Sequence, residues 1–235
     1  MTRFADDRVC VLQGTTWAGV SGVRVKADEL ADLLAETRRL IPAEKVTAWW
    51  LDPDARPADI YERLTALGLT EPRDRGSLLH ALACVAAPPP APPEITVRRV
   101  ETFADHLAAL ELQWDAFAVP ASRRDAQRAH VEHEFESARR AGVPVTFLAT
   151  LDGRPAGTGR SVPAESGVFL IAGAVAPWAR GRGVYRALVR ARWDDAVARG
   201  TPALVTEALP DTSYPILKRL GFEDVCVIRR LEDLR

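Results

Sequence analysis

Apolar positions along this chain alternate between short runs at strand length and stripes at helical spacing, and one junction between the two patterns stands out. Val168 to Val175 is an almost unbroken apolar run without a charge, which suits a strand covered on both faces. Pro177 ends it, Arg180, Gly181, Arg182 and Gly183 follow, and Val184, Ala187, Leu188 and Ala191 then recur at i, i+3, i+4, i+7, the spacing of an amphipathic helix. The predicted order is strand, glycine-arginine turn, and a helix to about Arg199.

The first 86 residues carry the same two periods. Strands are predicted at Arg8–Leu12, Gly22–Val25, Val46–Leu51 and Leu78–Val85. One helix is predicted over Asp28–Leu40, and another after Pro57 with Ile60, Leu64 and Leu67 on one face and Gly68 as C-cap. From Ile95 a strand ITVRRV leads to a helix capped by Thr102, with Leu107, Leu110, Trp114 and Phe117 on one side. The pattern breaks at Val119-Pro120. Ser122 and Asp125 then read as a capping pair for a helix bearing Val131, Phe135 and Ala138 and ended by Gly142. Val145–Leu151, Asp152-Gly153 and the stretch from Pro155 make a hairpin.

Between the blocks lies AAPPPAPPE, five prolines in nine residues, a composition that favours an extended, semi-rigid spacer. The expected domains are therefore 1–86, a linker 87–94, and 95–235. VTAWWLDPDARPADIYERLTALGL in the first block has the same layout as ALVTEALPDTSYPILKRLGF in the second, setting Leu64, Leu67 and Gly68 against Leu217, Leu220 and Gly221. That echo makes the first block a worn copy of part of the second, without its glycine-arginine turn.

Composition narrows the chemistry. With 31 basic and 32 acidic side chains, nothing in the charge balance points to nucleic acid or a membrane surface. Cys10, Cys84 and Cys226 are odd in number and widely separated, unlike a disulfide framework or a metal-ligand spacing. His130 and His133 lie close before Glu134, but no further ligand pattern accompanies them, so no metal is expected. No apolar segment has the length of a membrane span, and the N-terminus carries acids where a signal peptide needs an apolar region. A cytoplasmic monomer or homodimer is expected.

The first amides of a helix lack intrahelical partners and sit at the positive end of its dipole, so a glycine-rich turn leading into a helix is an anion site. The P-loop pattern is absent because no Gly-Lys pair occurs, and a dinucleotide fingerprint would need a small residue where Arg186 stands. The pattern V-x-P-x-x-[QR]-x-x-G-x-[GA] is met at Val175, Pro177, Arg180 and Gly183, with Tyr185 in place of its last small residue. This resembles the acyl-CoA-binding signature of the GNAT acetyltransferase superfamily. SYPILKRLGFEDV looks like that superfamily's final helix, its Gly-Phe ending and its last hairpin.

The resemblance implies an α/β fold with a mixed sheet, a C-terminal GNAT domain and a smaller degenerate N-terminal half, an organisation open to a tandem arrangement. It also implies acetyl-CoA as cofactor and the primary amine of a small molecule as acceptor. Backbone groups of Ala174 and Val175 would meet pantetheine. The turn Arg180, Gly181, Arg182, Gly183, Val184, Tyr185, with Arg186, would hold the pyrophosphate, and Ser213 the cofactor arm. Glu207, at the end of the next strand, is the candidate base, with Glu165, His130 and Glu134 behind it. The superfamily's usual tyrosine position is Leu217 here, which leaves Tyr214 as candidate acid, and Pro210 stands where an asparagine is common. Trp114, Phe117, Phe169 and Trp178 are candidates for an acceptor pocket. Two other readings stay open: a non-catalytic acyl-CoA-binding or regulatory module, and an NAD(P)-dependent oxidoreductase.

Overall fold

The computed structural model describes residues 2–72 and 76–235. Its strands are β1 (Thr2–Ala5), β2 (Cys10–Gln13), β3 (Trp17–Ser21), β4 (Val46–Leu51), β5 (Leu78–Cys84), β6 (Ile95–Arg99), β7 (Val145–Leu151), β8 (Arg154–Ala164), β9 (Gly167–Val175), β10 (Leu204–Ala208) and β11 (Glu223–Asp233). The helices are α1 (Leu30–Leu40), α2 (Ile60–Ala66), α3 (Phe103–Ala116), α4 (Ala121–Arg128), α5 (Val131–Ala141), α6 (Val184–Ala198) and α7 (Ser213–Arg219).

The chain forms two compact units. Met1–Ala81, Ala208–Pro215 and Asp224–Arg235 make the first; Leu82–Glu207 and Ile216–Glu223 make the second. The expected boundary in the proline-rich linker thus differs from the observed division, which lies earlier and takes two C-terminal pieces into the first unit. The reason is non-local pairing. β11 does not close a hairpin, as the resemblance implied; it runs antiparallel to β4, from Arg229↔Leu51 to Asp233↔Thr47. Leu231 is buried in the first unit's core with Trp49, Leu30, Leu33 and Leu64, and Asp233 is held by Arg38 of α1 through bonds of 3.0 and 2.7 Å.

Each unit taken alone has the same plan. In the first, β1, β2 and β3 are antiparallel neighbours and α1 crosses over to β4, which lies parallel to β3. In the second, β6, β7, β8 and β9 are antiparallel neighbours and α6 crosses over to β10, parallel to β9. The short helices that follow, α2 and α7, end in the same motif. Leu69 N–H donates to the Leu64 carbonyl and Gly68 N–H to Thr65, just as Phe222 donates to Leu217 and Gly221 to Lys218. Gly68 and Gly221 have φ of +98° and +90°, the left-handed cap that glycine adopts without strain. The sequence echo is therefore a structural one.

Several local expectations change. Gly22–Val25 makes one isolated bridge, Arg24↔Arg56, rather than a strand. The strand there is β3, whose WAGVS lacks an alternating pattern because it packs beside parallel β4, covered on both faces. β2 begins two residues later than predicted. Ser122 and Asp125 do not cap: α4 already starts at Ala121 behind Pro120, whose fixed φ is preset for a helical first turn, and α5 is a separate helix. Thr102 does cap α3 by accepting from Asp105 N–H at 3.2 Å, and Gly142 ends α5 at φ 69°.

α3 buries His106 in the second unit, its ring 5.2 Å from that of Phe135. Burial, assisted by the Arg160 charge, pushes the His106 pKa down to about 4 from 6.5. The depressed value means that below pH 6.5 the unfolded chain takes up a proton that the folded chain refuses. Stability is full above that pH and falls as pH drops through the window to about 4, by up to about 3 kcal/mol. Denaturation midpoints at pH 7 and pH 5 should show this loss in the wild type and a smaller one in His106→Leu; equal losses would assign the slope to other groups.

Candidate active site

β9 and β10 are paired for three residues, from Leu204↔Val168 to Thr206↔Leu170. The Thr206 hydroxyl donates to the Leu170 carbonyl at 3.0 Å and pins the last pair. β9 then runs on through Ile171–Val175 with β8 along one edge, while its other edge has left β10. The two strands splay, so the edge of β9 that faces away from β8 is not joined to β10 beyond Leu170. In the first unit the corresponding pair is joined as far as Val20↔Trp49, one residue from the end of β3.

The register of β9 with β8 slips between Thr158 and Arg160, and Ala172 takes φ 53°. An extra residue at this point makes a bulge, which bends the strand and re-aims its peptide groups. Gly173 follows. A Cβ on Gly173 would stand 2.8 Å from Cε2 of Tyr185, so the tyrosine ring occupies the room that glycine leaves.

Past Val175, one 3-10 turn at Pro177–Ala179 leads into the glycine-arginine turn. Gly181 and Gly183 have φ of +76° and +83°, both in the region that side chains avoid. Gly183 is the N-cap of α6; no side chain caps the helix and its first turn holds no acid. The leading amides of Val184, Tyr185 and Arg186 are thus not plugged from within. By contrast α1 has Glu29 at its N-cap and Asp32 in its first turn, which makes the equivalent end in the first unit hostile to an anion.

A cavity of about 450 Å³ opens beside this turn, lined by Gly181, Arg182, Gly183, Arg186, Pro92 and Glu94. Nε of Arg186 is buried without a hydrogen-bond partner, a donor held ready for a ligand. Arg182 forms an exposed pair with Asp152 at 3.3 Å, and Arg180 is exposed. Pro92 and Glu94 come from the proline-rich stretch, which also accepts a bond from Arg190 at the Pro88 carbonyl. That stretch is a wall of the cavity, a role its composition did not reveal.

α6 is held in place by its apolar face and by its ion pairs. Val184, Ala187 and Leu188 are buried against Phe147, Ala149 and Ala156, each large side chain contributing about 2 kcal/mol. Asp195, on the same helix, pairs with Arg99 of β6 and with Arg199. The anion-facing end of α6 therefore sits on a fixed scaffold.

Glu207 is the first residue of β10 beyond the last pair with β9, half-buried at the mouth of the splay. Glu165 is exposed in the turn between β8 and β9, and His130 and Glu134 lie at the start of α5. Ser213 and Tyr214 belong to the first unit. There the Ser213 hydroxyl accepts from Leu209 N–H at 3.1 Å, and the Tyr214 hydroxyl donates to Asp224 at 3.3 Å beside the ring of His80. Leu217 is fully buried, and so is Trp114, in an apolar cluster with Leu110 and Val131. Trp178 and Phe117 are exposed, with Arg154 stacked on Trp178 at 4.5 Å.

The family model described as the Acetyltransferase (GNAT) family matches residues 107–222. The chain carries a GNAT acetyltransferase domain. It is thereby an acyltransferase, and the family generally uses acetyl-CoA. A GCN5-related N-acetyltransferase from Kribbella flavida shares the fold at TM-score 0.71 and 19% identity, over 99% of this chain and 89% of its own. A GCN5-related N-acetyltransferase from Sphaerobacter thermophilus does so at 0.60 and 19%, over 96% and 75%. A tandem GNAT protein from the clavulanic acid biosynthesis pathway does so at 0.64 and 14%, over 96% and 78%. No curated protein matches the chain. Likeness to a tandem protein agrees with the repeated plan of the two units.

The GNAT domain contains two site features that motif reading passed over, Gly173 and Arg192. An isolated glycine in an apolar run signals a bulge or a close approach, and was legible as such. Arg192 lies on the inner face of α6, where a charge breaks the stripe.

Proposed function

We propose that this protein transfers the acetyl group of acetyl-CoA to the primary amine of a small molecule. The observation that carries the reading is the conjunction, within one unit, of unplugged α6 amides and a β9 edge that parts from β10 where Glu207 stands. The residues present suit the cofactor: a glycine turn with open space at Gly181 and a Cβ at Gly183 excluded by Pro92, the unpartnered Nε of Arg186, and a β9 edge that is not joined to β10 beyond Leu170. Acetyl-CoA supplies a thioester, an acyl carbon activated toward nitrogen.

In this reading the α6 amides and Arg186 bind the diphosphate, and Ala174 and Val175 hydrogen-bond the pantetheine amides. The peptide groups re-aimed by the bulge at Ala172 polarise the thioester carbonyl. Glu207 takes a proton from the incoming ammonium, directly or through water. The exposed aromatic rings of Phe117 and Trp178 are candidates for contacting the acceptor.

Calorimetry with acetyl-CoA, coenzyme A and NADH, followed by thiol release with a panel of primary amines, tests the proposal. Binding of the first two and amine-dependent release support it. Binding without release on any amine favours an acyl-CoA-binding module, and preference for NADH refutes it. Arg186→Ala is expected to weaken coenzyme A about tenfold, the loss of one charge-assisted contact to phosphate. An unchanged affinity would remove Arg186 from the site.

A further inference from the structure

Tyr185 departs from the motif, and its surroundings are fitted to it. Its ring lies against Gly173, where a Cβ would be 2.8 Å from Cε2 and 3.5 Å from the hydroxyl oxygen. Two turns further along α6, Arg192 is 1% exposed. Its guanidinium lies 5.9 Å from the centre of the Tyr185 ring and over Gly159, where a Cβ would stand 3.0 Å from Cζ. Two glycines, on β8 and β9, thus make room for a tyrosine and an arginine on α6.

A buried guanidinium is costly unless it is paired or fully hydrogen-bonded. Nε of Arg192 donates to the Leu188 carbonyl at 3.0 Å, and Nη2 has no partner. Burial lowers its pKa, and among the described residues the group that opposes this is the Tyr185 hydroxyl rather than a carboxylate. A cation placed beside a phenol stabilises negative charge on that oxygen when its proton departs. The phenol stands against the bulged segment Ala172–Gly173, on the part of β9 that has left β10. Leu217 carries no donor, and the Tyr214 hydroxyl donates to Asp224.

We propose that Tyr185, supported by Arg192, hydrogen-bonds the coenzyme A sulfur and protonates it as it leaves. The assignment rests on the acetyl-transfer reading above. As the nitrogen–carbon bond forms, the carbon–sulfur bond breaks and its electron pair stays on sulfur. Tyr185 gives its hydroxyl proton to that sulfur. The resulting phenolate, facing Arg192, is reprotonated from solvent; of the two protons that leave nitrogen, Glu207 takes the one on the ammonium and the other, shed as the amide forms, passes to solvent, so each turnover releases one proton net.

Coenzyme A itself is the probe. Calorimetry gives its affinity for the wild type and for Tyr185→Phe, which keeps the ring on Gly173. Ultraviolet titration of thiolate absorbance in each complex then gives the midpoint at which the bound sulfur ionises. The expected result is similar affinity near neutral pH and a midpoint at least one pH unit higher in Tyr185→Phe, the tenfold that one hydrogen bond to a charged atom supplies. Gly173→Ala, which keeps the hydroxyl but displaces the ring, should move the midpoint the same way. Equal midpoints in wild type and Tyr185→Phe overturn the assignment and leave cofactor binding standing. Failure of the wild type to bind coenzyme A overturns the acetyl-transfer reading and this assignment with it.

Discussion

Glu207→Gln is expected to lower amine acetylation by about 100-fold to 10,000-fold at neutral pH, the range that a positioned base contributes, while coenzyme A affinity stays within about twofold. Both halves of that expectation come from position. Thr206 is tied to Leu170 as the last paired residue, so Glu207 has a defined place where the strands begin to part. It lies away from the α6 amides, which act on the other end of the cofactor. Glutamine keeps the size and the hydrogen-bonding capacity of glutamate and removes its basicity. The deficit should narrow at high pH, where the amine arrives already deprotonated. Steady-state kinetics across pH, with calorimetry alongside, check it; full activity of the variant at every pH would take Glu207 out of the mechanism.

Legibility followed the range of the interactions. The strand, turn and helix from Val168 to Ala198 were readable because a charge-free run, a pair of glycines and a helical stripe are local signals. The hairpin at Asp152-Gly153 and the caps at Thr102, Gly68 and Gly142 were readable for the same reason. The pairing of β11 was not, because nothing in EDVCVIRRLED says that Leu231 is to fill a core built by Trp49 and Leu64, far away in sequence. Nor was the wall formed by Pro92 and Glu94, since a run of prolines looks like a spacer whether or not it packs. Trp114 and Phe117 show the limit within the candidate site: both fall on one predicted helical face, yet one is core and the other exposed, whereas Trp178, in the turn after Pro177, was separable by its place in a loop.

The two units show how one plan can keep or lose a site. Both have a parallel strand pair joined by a crossover helix and followed by a short helix with a left-handed glycine cap. In the first, β3 stays joined to β4 nearly to its end and α1 opens with Glu29 and Asp32. No comparable parting of the strands is left, and although no side chain caps α1 either, its acids repel an anion. In the second, the pair parts after Leu170 and the helix opens on glycine. Splay and a glycine-led, acid-free helix start occur together, which is what joint selection for one ligand, with its arm in the gap and its charge on the amides, would produce.

The same logic predicts that Gly183→Asp loses coenzyme A affinity by at least about 100-fold. Three costs combine. At φ +83° a side chain is strained by about 1 kcal/mol, though aspartate tolerates this region better than most residues. The new Cβ would stand 2.6 Å from Cγ of Pro92, so the wall of the cavity must shift. The carboxylate would then lie at the N-terminus of α6, competing with phosphate for the amides and repelling it. Gly183→Ala carries the first two costs without the charge and is expected to lose about tenfold, with the further tenfold in the aspartate variant shrinking as salt screens the charge. Calorimetry at low and high salt, with thermal unfolding to show that both variants fold, separates the contributions. Equal impairment of the two variants at every salt concentration would mean that Gly183 serves the shape of the turn and that no anion is held there.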